Sequence, residues 1–327
     1  MTVLVTGVAG FIGYHVAGAL LSRGERVIGV DNLSPYYDVR LKEARLARLG
    51  AQQGFSFHRL DIADREAVEA LTAAHPEIDR VVHLAAQAGV RYSLENPYSY
   101  VTANVMGQVT MLEAARRLKG LRSFVYASSS SVYGANSKLP FSVDDPVDQP
   151  VSLYAASKRS CELIGHTYAH LYGIPGTGLR FFTVYGPWGR PDMAAYLFCD
   201  AIVAGRPIKV FNHGEMSRDF TYIDDIVAGT VAALDRPPPA DMTVRHRVYN
   251  LGNNRPERLL DFIAIIERQL GRAAVKELLP IQPGDVPSTY ADIEASRRDL
   301  GFSPSTPLAD GLRRFTDWYK SYHGIEG

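Results

Sequence analysis

The sequence predicts an α/β protein: a doubly wound parallel sheet with a smaller C-terminal α/β lobe. Three observations carry this reading. Short β-branched runs alternate with longer helical stretches through the first half of the chain, the pattern of strands joined by crossover helices. Runs such as VLV (Val3–Val5) and RVVHLAA (Arg80–Ala86) are apolar without alternation, as strands buried on both faces require. After Pro187 the pattern loosens and Pro and Gly become frequent. A first domain over 1–187 and a mainly ligand-binding lobe over 188–327 are therefore expected, with some later segments returning to the first.

The elements follow in order. Thr2–Thr6 reads as a strand and Phe11–Leu21 as a helix, with a glycine turn between them. Arg26–Val30 is a strand ending at Asp31, Val39–Leu49 a helix, and Phe55–Arg59 a strand. Arg65–Ala74 is helical and Arg80–Leu84 is the fourth strand. Pro97 starts a long helix running to about Leu118, proline being suited to a first turn. Ser123–Ala127 is the fifth strand. Leu153–Leu171 is a second long helix, stopped near Gly173 and Pro175. Thr177–Phe181 is the sixth strand. Isolated strands are expected at Ile208–Phe211 and Val248–Leu251, and DRPPPADM (Asp235–Met242) is an exposed loop.

Composition narrows the class. The 327 residues are 46% hydrophobic and 21% charged, with a formal net charge of zero. That is a globular composition with no electrostatic reason to bind nucleic acid or an anionic membrane. Cys161 and Cys199 sit in apolar, helix-like stretches and read as free thiols in a reducing compartment. The nine histidines show no metal-ligand spacing, so no metal is expected. The first 21 residues are apolar but lack a basic start and contain four glycines. They fit a strand, turn and helix better than a leader or a span, and a cytoplasmic enzyme is expected.

TGVAGFIG places Gly7, Gly10 and Gly13 between the first strand and the first helix. There Gly7 permits a tight turn, Gly10 lets backbone approach a pyrophosphate, and Gly13 lets the helix pack on the sheet. Phe11 and Ile12 open that helix, whose N-terminus would face the phosphates. Asp31 follows after about 20 residues, the spacing of a carboxylate that bonds a ribose 2′-hydroxyl. It would repel a 2′-phosphate, so NAD is favoured over NADP; the alternative is that Asp31 and Asn32 only cap a turn. Asp61 and Ile62 follow the third strand, where an adenine edge would lie. Leu84, Ala85 and Ala86 end the fourth, where small residues admit a cofactor. Both groups also suit strand-end packing.

YAASK places Tyr154 and Lys158 four residues apart on a helix, hence on one face. A nearby ammonium stabilises a phenolate and lowers a tyrosine pKa that is about 10 when free. The run SSSS (Ser128–Ser131) lies one element upstream, at the carboxyl end of the fifth strand, where open α/β sheets bind ligands.

The Gly-x-x-Gly-x-x-Gly spacing and Tyr-x-x-x-Lys together resemble the short-chain dehydrogenase/reductase superfamily in its extended, Rossmann-type form. The resemblance covers nearly the whole chain and implies NAD as a tightly held coenzyme. It implies that Ser129 shares the substrate hydroxyl's proton with Tyr154. It makes Asn104 the family's structural asparagine, against the alternative of an exposed helix polar. RDFTYIDD (Arg218–Asp225) implies that Arg218 binds the diphosphate of a UDP-sugar. Ile208–Phe211 match the strand beside the uracil, with Val210 and Phe211 in contact. QPGDV (Gln282–Val286), including Asp285, matches a loop over the nucleotide, but has no arginine to make a second phosphate contact.

Extended members epimerise, dehydrate or decarboxylate nucleotide sugars. Dehydratases carry Asp-Glu in the serine run and decarboxylases a glutamate; this chain has Ser130 and Ser131. Hydroxyls donate hydrogen bonds well but are poor acids and bases at neutral pH, which points to epimerisation. YGPWGRPDMAAYLF (Tyr185–Phe198) and AGVRYS (Ala88–Ser93) resemble epimerases acting on UDP-glucuronate at C4. That resemblance implies UDP-glucuronate to UDP-galacturonate conversion through a 4-keto sugar. Arg190 would meet the C6 carboxylate, with Thr183, Ser130 and Ser131 as neutral donors and Arg91 as a second charge. The other reading of Arg190 is a loop arginine paired with Asp192. UDP-glucose or UDP-N-acetylhexosamine 4-epimerase, decarboxylase and non-catalytic NAD-binding protein are the alternatives. The resemblance implies a homodimer in which the two long helices pair into a four-helix bundle; burial under the second lobe is the other option.

Overall fold

Apolar residues facing both ways bury β1 (Thr2–Thr6) completely, and the rest of the main sheet grows outward from it. The computed structural model describes residues 1–282 and 286–325. β2 (Arg26–Asp31) and β3 (Phe55–Arg59) add on one side of β1. β4 (Arg80–His83), β5 (Ser123–Ser129) and β6 (Gly176–Phe181) add on the other. All these pairings are parallel, so each connection is a crossover, and helices cover both faces. The chain reverses its direction of travel between β1 and β4, the switch point where such sheets open a crevice. The expected α/β class and the parallel sheet are present.

β7 (Thr183–Tyr185) leaves the main sheet and pairs with β9 (Ser217–Tyr222); β8 (Ile208–Phe211) lies apart. β10 (His246–Leu251) then returns and pairs parallel with β6 at the edge of the main sheet. β11 (Pro256–Arg258) and β13 (Ser288–Thr289) complete the β9 sheet, and β12 (Lys276–Leu279) pairs with β8. The chain thus crosses between the two sheet systems more than once.

Local chemistry sets the helix ends. Ser152 accepts the Ala155 N–H at 3.1 Å and starts the Leu153–Tyr172 helix, an N-cap. Gly173, at φ 66°, ends it in the left-handed conformation. The expected uninterrupted helix from Pro97 to Leu118 is corrected. It runs helical over Pro97–Tyr100, widens to a π-helix over Val101–Met106, and resumes over Gly107–Ala115. The wide turn directs Asn104 inward, where its amide holds Gln87 and Ser157; π segments often mark functional positions. Cys161 and Cys199 are buried free thiols. Among the described residues no helix is long and apolar enough to cross a membrane.

Three histidines are held neutral inside the fold. Burial lowers His15 to about 4, His83 to about 3 and His246 to about 4. Unfolded, each titrates near 6.5, so below that pH the unfolded chain takes up protons that the native one refuses. Stability is full above pH 6.5 and falls as pH drops toward 4, by up to about 1.4 kcal/mol per unit for each histidine. Urea midpoints should therefore decline steadily between pH 7 and 5, and less so in His83→Gln. A flat midpoint over that range would contradict the assignment.

Candidate functional site

One large cleft of about 1170 Å³ opens at the carboxyl ends of the main-sheet strands and extends to β8 and β9. Its wall takes in nearly every residue singled out from the sequence. At the sheet end these are Gly7, Gly10, Phe11, Ile12 and Gly13; Asp31 and Asn32; Asp61 and Ile62; and Leu84, Ala85 and Ala86. Deeper in lie Ser129, Ser130, Ser131, Tyr154 and Lys158. Toward the second sheet lie Arg91, Thr183, Arg190, Phe211 and Arg218. Two positions fall elsewhere. Val210 is fully buried and points away from the cleft, so Phe211 alone of that pair forms wall. Asp285 lies outside the described residues.

The glycine turn is shaped to admit a ligand at its backbone. Gly7 sits at φ 70°, and a Cβ there would lie 2.7 Å from the Ala85 nitrogen. A Cβ on Gly13 would collide with the Gly7 carbonyl, so the first helix packs tightly onto the turn. Asp31 accepts the Ala9 N–H at 3.1 Å and the Leu33 N–H at 2.8 Å. It therefore fastens the turn to β2 and also faces the cleft. Asn32 donates to Asp61 at 2.9 Å, joining the ends of β2 and β3. The residues present fit a dinucleotide, with its pyrophosphate at the turn and a ribose at Asp31. Lys42, which the sequence reading missed, stands 4.0 Å from Asp31 on a helix that shows only ordinary amphipathicity. Burial lowers its pKa, and Asp31 partly offsets this.

The serine run divides its labour. Ser128 points inward and donates to Glu162 at 2.6 Å. Ser129 Oγ accepts the Ser131 N–H at 3.2 Å, which leaves its own O–H to donate into the cleft. Ser130–Tyr133 then form a single 3₁₀ turn. Lys158 donates to the Ala127 carbonyl at 2.9 Å, which ties the Tyr154 helix to β5. Tyr154 packs edge-on to Tyr100 at 6.0 Å between ring centres. Asn104 is buried and donates to Ser157 Oγ at 2.9 Å, while Ser157 donates to the Tyr154 carbonyl. The exposed alternative for Asn104 is thereby overturned.

Glu162 anchors this arrangement. It accepts from Arg180 Nε at 2.8 Å and Nη2 at 2.9 Å, and from Arg159 at 2.9 Å. Burial alone would raise its carboxyl, but the Arg180 bonds hold it below the usual carboxylate range. Arg180 also donates to Tyr133, and Tyr133 to Asn250 at 2.7 Å. Asn250 donates onward to the Phe141 and Asp292 carbonyls. A continuous chain of bonds thus links the helix of Tyr154 to β5, β6 and β10.

On the opposite wall, Arg190 makes a two-point ion pair with Asp192, with Nε at 3.0 Å and Nη2 at 2.5 Å. Burial opposes its charge; Asp192 more than offsets this, and Tyr154 and Tyr36 add to the effect. Arg190 is therefore paired with Asp192 in the same cleft that Tyr154 lines. Arg91 stacks on Phe211 at 4.5 Å, which sets its charge beside β8. Arg218 donates to the Ser217 and Pro287 carbonyls. Tyr36, which donates to Asp192 at 3.0 Å, was not singled out from the sequence; nothing local marks a contact between positions so far apart.

A model of the NAD dependent epimerase/dehydratase family matches residues 3–252. A probable UDP-glucuronate 4-epimerase of Rhizobium meliloti is 48% identical over 98% of this chain and 97% of its own length. UDP-glucuronate 4-epimerase 4 of Arabidopsis thaliana is 50% identical over 99% of this chain and 76% of its own. Among solved structures, the UDP-glucuronic acid 4-epimerase of Bacillus cereus with UDP-glucuronic acid and NAD superposes at a TM-score of 0.91. It is 38% identical over 98% of this chain and 100% of that one.

Removing Arg180 from the buried Glu162–Arg180 pair strips two of the four donors from a buried carboxylate and leaves it only the partly exposed Arg159 and Ser128. Arg180→Met should lower the unfolding free energy by roughly 3–5 kcal/mol, as read from urea denaturation at pH 7. A loss below about 1 kcal/mol, the range of surface pairs, would show that the pair is not the anchor described.

Proposed function

This chain belongs to the NAD-dependent epimerase/dehydratase family, and from that premise we propose that it interconverts UDP-glucuronate and UDP-galacturonate by inverting C4. The observation that carries this reading is the meeting, in one cleft with Tyr154, of an all-hydroxyl wall, Ser129–Ser131 and Thr183, and a guanidinium, Arg190. Such a site holds a carboxylated sugar and moves one proton, but has no carboxyl in the serine run to expel water.

Gly7, Gly10 and Gly13 would hold the pyrophosphate of NAD, Asp31 its ribose, and Lys158 the region nearest Tyr154. When bound, NAD supplies the acceptor and later the donor of the C4 hydride. Every other task falls to the chain. Tyr154 Oη takes the C4 hydroxyl proton, helped by the O–H of Ser129, and gives it back after the sugar has turned. Arg218 anchors the diphosphate while the 4-keto sugar swings about that linkage. Ser130, Ser131 and Thr183 donate to the C6 carboxylate. A 4-keto uronate is a β-keto acid and loses CO₂ when its breaking bond lines up with the carbonyl π system. Fixed donors that hold the carboxylate out of that alignment protect the product.

The same reading places the protein in a reducing compartment, the cytoplasm, where Cys161 and Cys199 remain thiols. It also makes it a homodimer. Tyr98, Met106, Leu163 and Leu171 are 81%, 54%, 53% and 60% exposed along the two long helical segments, a patch suited to a second copy of itself. Light scattering should give a particle of twice the 36.0 kDa chain mass, and Leu163→Glu should shift it to monomer. A monomeric wild type would refute the pairing.

Incubating the enzyme with UDP-glucuronate and resolving the products by NMR tests the function. UDP-galacturonate should appear, and Tyr154→Phe should lower kcat by roughly 10²–10⁴-fold, the worth of a positioned general base. Ser130→Ala and Ser131→Ala should release a UDP-4-keto-pentose beside the epimer. No turnover of UDP-glucuronate, with turnover of UDP-glucose instead, would favour the hexose reading.

A further inference from the structure

The guanidinium assigned to the sugar carboxylate already has a carboxylate. Asp192 occupies Arg190 Nε and Nη2 together, the edge that grips a carboxylate by two parallel bonds. The pair stands in the cleft wall and is 22% and 29% exposed, open to a ligand but largely shielded from water. Asp192 has a second partner, the Tyr36 hydroxyl, at 3.0 Å. Tyr36 is held in turn by Tyr92, at 4.9 Å between ring centres, and by Gly89, where a Cβ would lie 2.6 Å from its oxygen. Three separate segments, around residues 36, 89–92 and 190–192, thus meet about the Tyr36–Asp192 contact.

We propose that Asp192 is an internal competitor for Arg190 and sets the selectivity of the site for uronates. It keeps the guanidinium until a substrate carboxylate takes over the same two nitrogens, and Tyr36 retains Asp192 after the exchange. This rests on the reading that the substrate is a UDP-uronate. A carboxylate-for-carboxylate exchange preserves the number and kind of charged hydrogen bonds on Arg190, so no bare buried cation arises at any stage. The hydroxymethyl group of a neutral hexose is too weak an acceptor to displace Asp192 and leaves the pair closed. Selectivity then comes from what the wrong substrate fails to open as well as from what the right one contacts.

Calorimetric titration of the NAD-loaded enzyme with UDP-glucuronate and with UDP-glucose tests this. In Asp192→Asn the competitor loses its charge, and UDP-glucuronate should bind about tenfold tighter, about 1.4 kcal/mol, while UDP-glucose changes less than twofold. In Tyr36→Phe the displaced Asp192 loses its remaining partner, and UDP-glucuronate should bind several-fold weaker, again with UDP-glucose unmoved. The two variants therefore shift one ligand in opposite directions. Tyr36→Phe keeps its ring against Tyr92 and carries the test alone if Asp192→Asn does not fold. Equal shifts for both nucleotides, or a weaker UDP-glucuronate complex in folded Asp192→Asn, would overturn the competitor role while wild-type preference for UDP-glucuronate stood. A wild type that preferred UDP-glucose would overturn the uronate reading and this inference together.

Discussion

The site depends on one buried carboxylate. Glu162 receives Ser128 from β5, Arg180 from β6 and Arg159 from its own helix. Two neighbouring strands and the helix bearing Tyr154 are thereby held in one relation. Removing a carboxylate from water is costly, and the cost is met here by saturating its oxygens with charged and neutral donors. The geometry is correspondingly rigid. Ser128 is drawn inward, so the next residue, Ser129, must turn the other way at the end of the strand. Arg180 passes the same constraint through Tyr133 to Asn250 on β10.

The second wall is built on a different principle. Glu162 sits among partners that have no reason to leave. Arg190 and Asp192 form an equally close pair, but in a cleft, with a hydroxyl ready to hold Asp192 if Arg190 moves. A buried pair with saturated partners fixes structure, whereas a pair at a cavity surface can exchange partners at little net cost. On the proposed reading, the helix that carries the proton-handling tyrosine is fixed by a pair of the first kind and the sugar is recognised by a pair of the second. That separation suits a reaction in which the sugar must turn while the residue that handles its proton stays still.

The cofactor end joins the two. Arg45, fully buried, donates to the Ala9 carbonyl in the glycine turn and to the Trp188 carbonyl two residues before Arg190. His15, on the first helix, reaches the Pro187 carbonyl at 2.9 Å. The loop that carries Arg190 is therefore moored to the glycine turn on one side and, through Trp188 against Trp318 and Tyr322, to the C-terminal helix on the other. This mooring crosses the boundary expected at residue 187, because carbonyls in loops take donors wherever the fold supplies them.

Local pattern determined the strands, the glycine turn, and the roles that follow from short spacing. β1, β3 and β8 fall at the expected bounds, and Tyr154 and Lys158 share a helix face, because strand and helix periods act over a few residues. The missing carboxylates at Ser130 and Ser131 were equally legible, since the argument needed only residue type. What tertiary structure alone decided are the contacts between distant positions: Tyr36 with Asp192, Arg45 with Trp188, Asn104 with Ser157, and the return of β10 to β6. The π turn at Val101–Met106, which carries Asn104 to its buried partners, belongs with them. Whether Arg190 met a ligand or Asp192 was also open in the sequence. A charge's partner depends on which groups are brought within a few ångströms of it in a place sheltered from water, and only the folded chain settles both conditions.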